Sequence, residues 1–222
     1  QGLQWMVADM KCEIESSKLL LYRAAMTKDS GKPFSMDAAM AKLRCAETAM
    51  DVTTKCVQLH GGYGYSREYP IERMMRDAKI TEIYEGTSQL QVVAAINAVT
   101  KGTFLEQIER YAAGEYSEAM QPVVARAAEW TAKFREMVAH VEAGDKECAG
   151  FKDFHARRLV ETAGHIIITY LLARQAGESE DYVASARIFS KLAAGKVAEA
   201  YGYVMASTTE DVALFRAVGE QE

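Results

Sequence analysis

Apolar side chains recur every three to four residues along almost the whole chain, and this periodicity restricts the fold more than any other feature. Near the start of the sequence, Leu3, Met6, Met10 and Ile14 follow the spacing of one helix face. The 222 residues include only 3 prolines, and no segment alternates apolar and polar residues in the way a half-buried strand does. The sequence therefore predicts an all-α protein.

Glycine and proline divide this pattern into helices. The predicted helices cover residues 1–28, 35–60, a short segment after Pro70, a segment from Thr87 or Ser88 to Lys101, and residues 103–113, 117–143, 151–177 and 181–208, with a short tail after Asp211. Ser88 and Gln91 have the spacing of a capping box at the start of the predicted helix that ends at Lys101. We expect an up-and-down helical bundle in residues 1–102 and a second helical bundle in residues 103–222.

The charge pattern excludes several classes of function. The net charge is −5 and the basic residues form no cluster, so the sequence predicts no nucleic-acid binding. The longest apolar run, residues 166–172, is far shorter than the ~20 residues of a transmembrane helix, so we expect no membrane span. The chain starts without methionine in what reads as mid-helix, and we expect it to be part of a longer protein.

The cysteines and histidines do not have the spacing of metal ligands. The four cysteines, Cys12, Cys45, Cys56 and Cys148, form no close pair, which predicts reduced thiols in a cytoplasmic protein. His155 and His165 lie in helical segments without acidic or cysteine partners at ligand spacing. We interpret both histidines as ordinary helix-face or core residues.

Glu85 differs from most other acidic residues, which lie in patterns typical of solvated helix faces. It stands between Tyr84 and Gly86 at a junction between a loop and a helix. Gly86 has no side chain to block a ligand, and a carboxylate covered by an apolar ligand loses water and becomes a stronger base. The local sequence also fits a simpler role, because an acidic residue before a helix N-terminus favours the helix dipole.

The glycines at positions 61, 62 and 64 carry a weaker signal. No strand precedes them, and their spacing is not that of a dinucleotide-binding fingerprint. They explain the end of a helix without any ligand, although a glycine backbone can also approach a phosphate closely.

Four short motifs that contain these positions follow one another between residues 58 and 89. In order, they are QLHGGYGY from Gln58, EYPIER from Glu68, RDAKI from Arg76 and IYEGTSQ from Ile83. This order resembles the C-terminal helical domain of the flavin-dependent acyl-CoA dehydrogenases, and WMVADM at the start of the chain is similar to part of that domain's first helix. The resemblance covers about residues 1–100.

The resemblance implies a role for each residue of the motifs. Glu85 corresponds to the catalytic base, which removes the α-proton of an acyl-CoA while a β-hydride passes to FAD, giving a trans-2-enoyl-CoA. The backbone N–H of Glu85 would bind the thioester oxygen, and Tyr84 and Gly86 would line the acyl slot. Thr87 and Gln89 would contact FAD, whereas Gln58 and Gly62 would reach the FAD of a neighbouring subunit.

Two observations refine the expectation. A glutamate at position 85 resembles the short- and medium-chain (butyryl-type) members, since others place the base on an earlier helix. Val92 and Asn97 stand where the family usually has arginine. The N-terminal and middle domains of the family are not in this chain, so we expect the chain alone to be inactive and unable to hold FAD tightly.

The implied partners are acyl-CoA, an electron-transfer flavoprotein and copies of the chain itself in a dimer or tetramer. Residues 103–222 are similar in size and helix content to the C-terminal extension of some larger relatives. An alternative remains open: a non-catalytic helical module, derived from the same family, that uses this extension for oligomerisation or interaction.

Overall fold

The computed structural model describes residues 2–219, and all of its regular secondary structure is helical. Gln1 and residues 220–222, which the predicted bundles include, lie outside the described residues. The helices are α1 (Gly2–Asp29), α2 (Ser35–Leu59), α3 (Gly62–Tyr65), α4 (Ile71–Ile80), α5 (Ser88–Thr100), α6 (Thr103–Ala112), a 3₁₀ turn (Glu118–Met120), α7 (Gln121–Glu147), α8 (Phe151–Glu178), α9 (Asp181–Ala206) and α10 (Thr209–Gly219). The all-α prediction is confirmed.

The start of α2 is fixed by a buried ion pair rather than by a capping side chain. No side chain within residues 2–219 caps this N-terminus. Asp37 accepts hydrogen bonds from Arg23 at 2.6 Å and from Thr27 at 2.9 Å. Both charged groups are buried, so each needs the other. The pair joins the end of α1 to the start of α2 across the loop that connects them.

Helices α1, α4 and α5 all pack against α2. The short α3 and α4 return alongside α2 after the glycine loop, and α4 buries Ile71 and Ala78. The loop that contains Glu85 therefore joins two helices, α4 and α5, that both lie against α2.

The second half is built around α8, which packs between α7 and α9. From Leu159 to Tyr170 every residue of α8 except Glu161 is buried. A helix that is enclosed on nearly all sides belongs to the centre of a core. Phe151, Leu159, Ile166 and Tyr170 are buried in that core, and Phe154 is partly buried against it.

The two halves share one hydrophobic core. Val92, Ile96 and Val99 of α5 are buried in the same cluster as Leu159 and Ile166 of α8. Helix α1 also contacts α8 and α9. At the surface of this seam, Arg157 of α8 donates to Glu47 of α2 at 2.6 Å. The position at which the two bundles divide remains a prediction, but their helices pack directly on each other.

Candidate active site

The backbone at Glu85 has an uncommon conformation. Its φ angle is 53°, and Glu85 is the one residue other than glycine with a positive φ among residues 2–219. Gly86 follows with a φ of 88°. The left-handed region brings Cβ close to the following carbonyl, so residues with a side chain avoid it. Two successive left-handed residues turn the chain sharply between α4 and α5.

The backbone conformation favours glycine at position 86. The φ of Gly86 lies in the region that favours glycine, and a Cβ atom there would displace Nε2 of Gln91, which would be 2.6 Å away. The amide of Gln91 occupies that space because it donates to the carbonyl oxygens of Glu85 at 3.3 Å and of Gly86 at 3.2 Å. The side chain of Gln91 therefore lies in the space that the missing side chain of Gly86 leaves open.

Thr87 caps α5. Its Oγ1 accepts a hydrogen bond from the backbone N–H of Leu90 at 3.3 Å. The predicted capping box of Ser88 and Gln91 does not form, because α5 begins one residue earlier than that motif requires and Gln91 bonds to the Glu85–Gly86 turn. The Oγ atom of Ser88 is buried and has no hydrogen-bond partner among residues 2–219. The turn before α5 is therefore held from within by Thr87 and Gln91.

Lys42 of α2 also holds this turn, through a contact that no pattern in the sequence indicates. Its Nζ atom donates to the carbonyl oxygen of Gly86 at 2.5 Å. The contact joins residues 44 positions apart. Helical spacing places Lys42 on α2 but does not indicate what its side chain meets.

The predicted substrate-binding residues are accessible. Tyr84, Glu85, Thr87 and Gln89 are exposed, and Gly86 is half-buried. No hydrogen bond from the backbone N–H of Glu85 is found within residues 2–219. A free N–H beside an exposed carboxylate can donate to a carbonyl oxygen while the carboxylate takes a proton.

Large apolar side chains are exposed on this loop and on the adjoining parts of its two helices: Ile80, Ile83, Tyr84, Leu90 and Val93. The exposed Tyr63, Tyr65 and Tyr69 instead lie on or just after α3, close in sequence to Gly62. Exposed apolar side chains gathered at one place mark surfaces that bind another partner. The surface fits a flat apolar ligand or further protein.

Gln58 and Gly62 do not lie beside Glu85. Lys42, which contacts the Glu85 loop, is 16 residues before Gln58 on α2. At 1.5 Å of rise per residue, the two positions are about 24 Å apart along the helix. Gln58 and Gly62 are both exposed, and a Cβ atom at Gly62 would meet nothing within 4 Å. The predicted site residues thus form two separate groups, one at each end of α2.

The comparisons with known proteins decide the family. The family described as "Acyl-CoA dehydrogenase, C-terminal domain" matches residues 1–99, and the one described as "Acyl-CoA dehydrogenase C terminal" matches residues 100–212. The chain belongs to the acyl-CoA dehydrogenase family. The second half, which the motifs did not reach, is therefore also a recognised part of this family.

Two curated relatives match the first half closely. The short-chain-specific acyl-CoA dehydrogenase of Clostridium acetobutylicum is 66% identical over 91 residues, which is 41% of this chain and 24% of that protein. The short-chain-specific acyl-CoA dehydrogenase of Megasphaera elsdenii is 52% identical over 101 residues, covering 46% of this chain and 26% of that protein. The chain thus spans about a quarter of the length of these relatives.

A solved structure reproduces the fold of both halves. The crystal structure of an acyl-CoA dehydrogenase complexed with FAD from Bacillus anthracis aligns with a TM-score of 0.71 at 16% identity. The alignment covers 89% of this chain and 40% of that one. The packing of the two helical halves on each other is therefore a fold that occurs within a dehydrogenase of this family.

Other kinds of site are not found in the described part of the chain. Residues 2–219 contain no group of three or more metal-ligating side chains and no helix long and apolar enough to cross a membrane. All four cysteines have free thiols. His155 and His165 are buried among core residues.

Proposed function

We propose that this chain is the C-terminal part of an FAD-dependent acyl-CoA dehydrogenase in which Glu85 is the catalytic base. The observation that carries the proposal is the Glu85 turn. An exposed carboxylate, a free N–H of the same residue and a left-handed backbone occur together at one point of the molecule. Backbone strain of this kind is typical of functional sites.

The residues of the turn have complementary tasks in this reaction. The backbone N–H of Glu85 donates to the thioester carbonyl of acyl-CoA and stabilises the negative charge that develops there. The carboxylate of Glu85 takes the α-proton. Tyr84 and Gly86 border the space for the acyl chain. FAD, when bound, accepts the β-hydride, so the products are reduced FAD and a trans-2-enoyl-CoA.

The residues fit FAD at two separate places. Thr87 and Gln89 are exposed next to Glu85, where they can contact the flavin that serves this base. Gln58 and Gly62 lie about 24 Å away along α2, too far to join the same local contact, given the rise of an α-helix. This distance supports a role for Gln58 and Gly62 at the FAD of a neighbouring subunit. The active enzyme would then be a dimer or tetramer.

The exposed apolar surface around the turn supports the view that further domains cover the site. Ile83 and Tyr84 are each 52% exposed and Leu90 is 56% exposed, which is costly for a surface that remains in water. The other domains of the enzyme would exclude water from Glu85 and complete the FAD pocket. We therefore expect the chain alone to be unable to hold FAD tightly and to have no activity.

The names of the relatives support a substrate class. Both curated relatives described above are named as short-chain-specific acyl-CoA dehydrogenases. We propose a short-chain, butyryl-type acyl-CoA as substrate, an electron-transfer flavoprotein as electron acceptor and a cytoplasmic location. The alternative is a non-catalytic helical interaction module, which has no use for the Glu85 turn.

The experiment that tests the proposal uses the full-length enzyme loaded with FAD. Acyl-CoA substrates of increasing chain length are added without oxygen, and bleaching of the flavin absorbance is recorded. We expect bleaching by butyryl-CoA in the wild type and a loss of at least about 1,000-fold in its rate in Glu85→Gln, because the base itself is removed.

Glu82→Gln is the matched control. Glu82 lies in the same loop but pairs with Lys79, so its replacement is expected to leave the bleaching rate within about twofold. Undiminished bleaching in Glu85→Gln would place the base elsewhere. A full-length protein without FAD, or one that no acyl-CoA bleaches, would favour the interaction module.

A further inference from the structure

A backbone hydrogen bond from the N–H of Ser88 to the carbonyl oxygen of Glu82 at 3.0 Å spans the turn, but it does not engage Glu85 or Gly86 themselves. Glu85 and Gly86 both have positive φ angles, and the carbonyl oxygens of both residues lie outside the hydrogen-bond ladders of α4 and α5. A glutamate has no intrinsic preference for this region, so the surrounding structure must impose it.

Two side chains supply the missing hydrogen bonds. Gln91 of α5 donates to the carbonyl oxygens of Glu85 and Gly86 at 3.3 and 3.2 Å. Lys42 of α2 donates to the carbonyl oxygen of Gly86 at 2.5 Å, the shortest of the three contacts. A hydrogen bond from an ammonium group is stronger than one from an amide, so Lys42 contributes most to the turn.

Lys42 is used differently from the other lysines that make side-chain hydrogen bonds. Within residues 2–219, Lys18, Lys55, Lys79 and Lys133 each donate to a nearby carboxylate on the protein surface. Lys42 forms no ion pair in this part of the chain and donates instead to a neutral carbonyl oxygen. Its contact spans 44 positions, whereas those of the other four lysines span three or four.

The backbone of Lys42 is itself well anchored. Its neighbours Met40, Ala41 and Leu43 are 3%, 3% and 4% exposed, respectively, and belong to the hydrophobic core. Lys42 therefore connects a fixed point of α2 to the turn that carries Glu85. Gln91 lies on the helix that the turn itself begins and cannot provide such a connection.

We propose that Lys42 is a positioning residue for the catalytic base. By holding the carbonyl of Gly86, it keeps Glu85 in its left-handed conformation, with the carboxylate and the N–H directed to the same ligand. This inference rests on the proposed dehydrogenase function, because it assigns Lys42 a task in that site. Lys42 acts through the backbone of Glu85 and Gly86 and needs no contact with substrate.

Anaerobic flavin bleaching by butyryl-CoA in the full-length enzyme tests this role. The rate is expressed per bound flavin, so that a variant with incomplete FAD is still scored. Lys42→Met keeps the unbranched side chain as far as Cε but removes the ammonium group. We expect the limiting rate of bleaching to fall about 10- to 100-fold, with a smaller change in the butyryl-CoA concentration that gives half of that rate, since a small displacement of a base costs that much. The isotope effect from α-deuterated substrate should rise, because proton removal becomes more rate-limiting.

Two variants serve as comparisons. Lys42→Arg retains a cation and a donor and is expected to recover part of the lost rate. Lys133→Met removes the same charge from a surface lysine that pairs with Glu129, and should behave as wild type. If Lys42→Met does not load FAD, Lys42→Gln is used in its place, since its shorter side chain cannot make the same contact.

The outcomes separate this inference from the proposed function. A wild-type enzyme that no acyl-CoA bleaches overturns both. Bleaching of the wild type with the same rate per flavin and the same isotope effect in Lys42→Met or Lys42→Gln overturns only the role of Lys42. A lower melting temperature with an unchanged rate per flavin would also overturn it, because Lys42 would then support the fold alone.

Discussion

His155 is a buried ionisable side chain without polar partners. It is 0% exposed, and neither of its ring nitrogens has a hydrogen-bond partner within residues 2–219. The rings of Phe151 and Phe154 lie edge-on to it, with centroids at 4.6 and 4.8 Å. Burial, with the nearby positive charge of Arg158, lowers the pKa of His155 from 6.5 to about 4. The folded chain therefore holds His155 neutral.

This histidine predicts a loss of stability in mild acid. The unfolded chain binds a proton at His155 below pH 6.5, whereas the folded chain does so only near pH 4. Between these values the free energy of unfolding should fall with falling pH, by about 1.4 kcal/mol per pH unit for each such histidine. Burial also lowers the pKa of His165, which adds to the effect.

Denaturant unfolding at pH 7 and pH 5 measures this dependence. We expect His155→Phe to lose less stability than the wild type between the two values, because phenylalanine cannot bind a proton. The exposed His60 provides the control, and His60→Phe should retain the wild-type difference. Equal losses in His155→Phe and the wild type would contradict the prediction.

At the level of single residues, the sequence alone identifies part of the candidate site. Tyr84, Glu85, Gly86, Thr87 and Gln89 follow one another in a motif, so a resemblance was enough to identify them as a group. The left-handed φ of Glu85 could not be read in the same way, since glutamate has no preference for it.

For a related reason, the sequence did not indicate the side chains that hold this turn. The Lys42 contact joins two helices that are distant in sequence, and periodicity reports only which face of a helix is apolar. Local sequence left Thr87 and Ser88 as equal candidates for the cap. The structure selects Thr87 because the amide of Gln91 is engaged by the preceding turn.

Helix α5 shows how the packing of the second half limits which residues the first half can contain. Val92 is 0% exposed and lies in the core cluster shared with α8, whereas Asn97 is exposed on another face of α5. Both positions usually hold arginine in the family that this chain resembles. Only at Asn97 could an arginine side chain reach water.

The two positions make a matched test of this difference. Val92→Arg places an unpaired charge in the core and is expected to destabilise the chain by more than about 4 kcal/mol, enough to prevent folding at ordinary temperature. Asn97→Arg should change stability by less than about 0.5 kcal/mol. Thermal unfolding followed by circular dichroism compares them, and a folded Val92→Arg with a near-wild-type melting temperature would refute the assignment.

The helices were predicted from local pattern, and most of their ends are close to the predicted ones. The pattern failed where packing overrides a local stop signal. We expected one helix to end at residue 143, before Gly144, but α7 continues to Glu147. The ring of Phe151 lies against Gly144, where a Cβ atom would be only 2.4 Å from it, so the glycine serves packing instead of ending the helix. Similarly, α10 occupies residues expected to form a short tail.

For the whole molecule, the shared core predicts a single cooperative unfolding transition. Residues on both sides of Gly102 belong to one hydrophobic cluster, and α5 packs on α8. Neither half can then unfold without exposing the apolar surface of the other. Scanning calorimetry of the chain should give one peak, with calorimetric and van't Hoff enthalpies that agree. Two separate peaks would show that the halves are independent.

The buried Val92 also limits how the sequence of this chain can change. Because α5 packs on α8 and Val92 lies in their shared core, an arginine at position 92 would disrupt that core. As long as the second half is present, position 92 is therefore restricted to apolar residues. Any contact that an arginine makes at the corresponding position of other family members must come from a different residue in this protein or be absent.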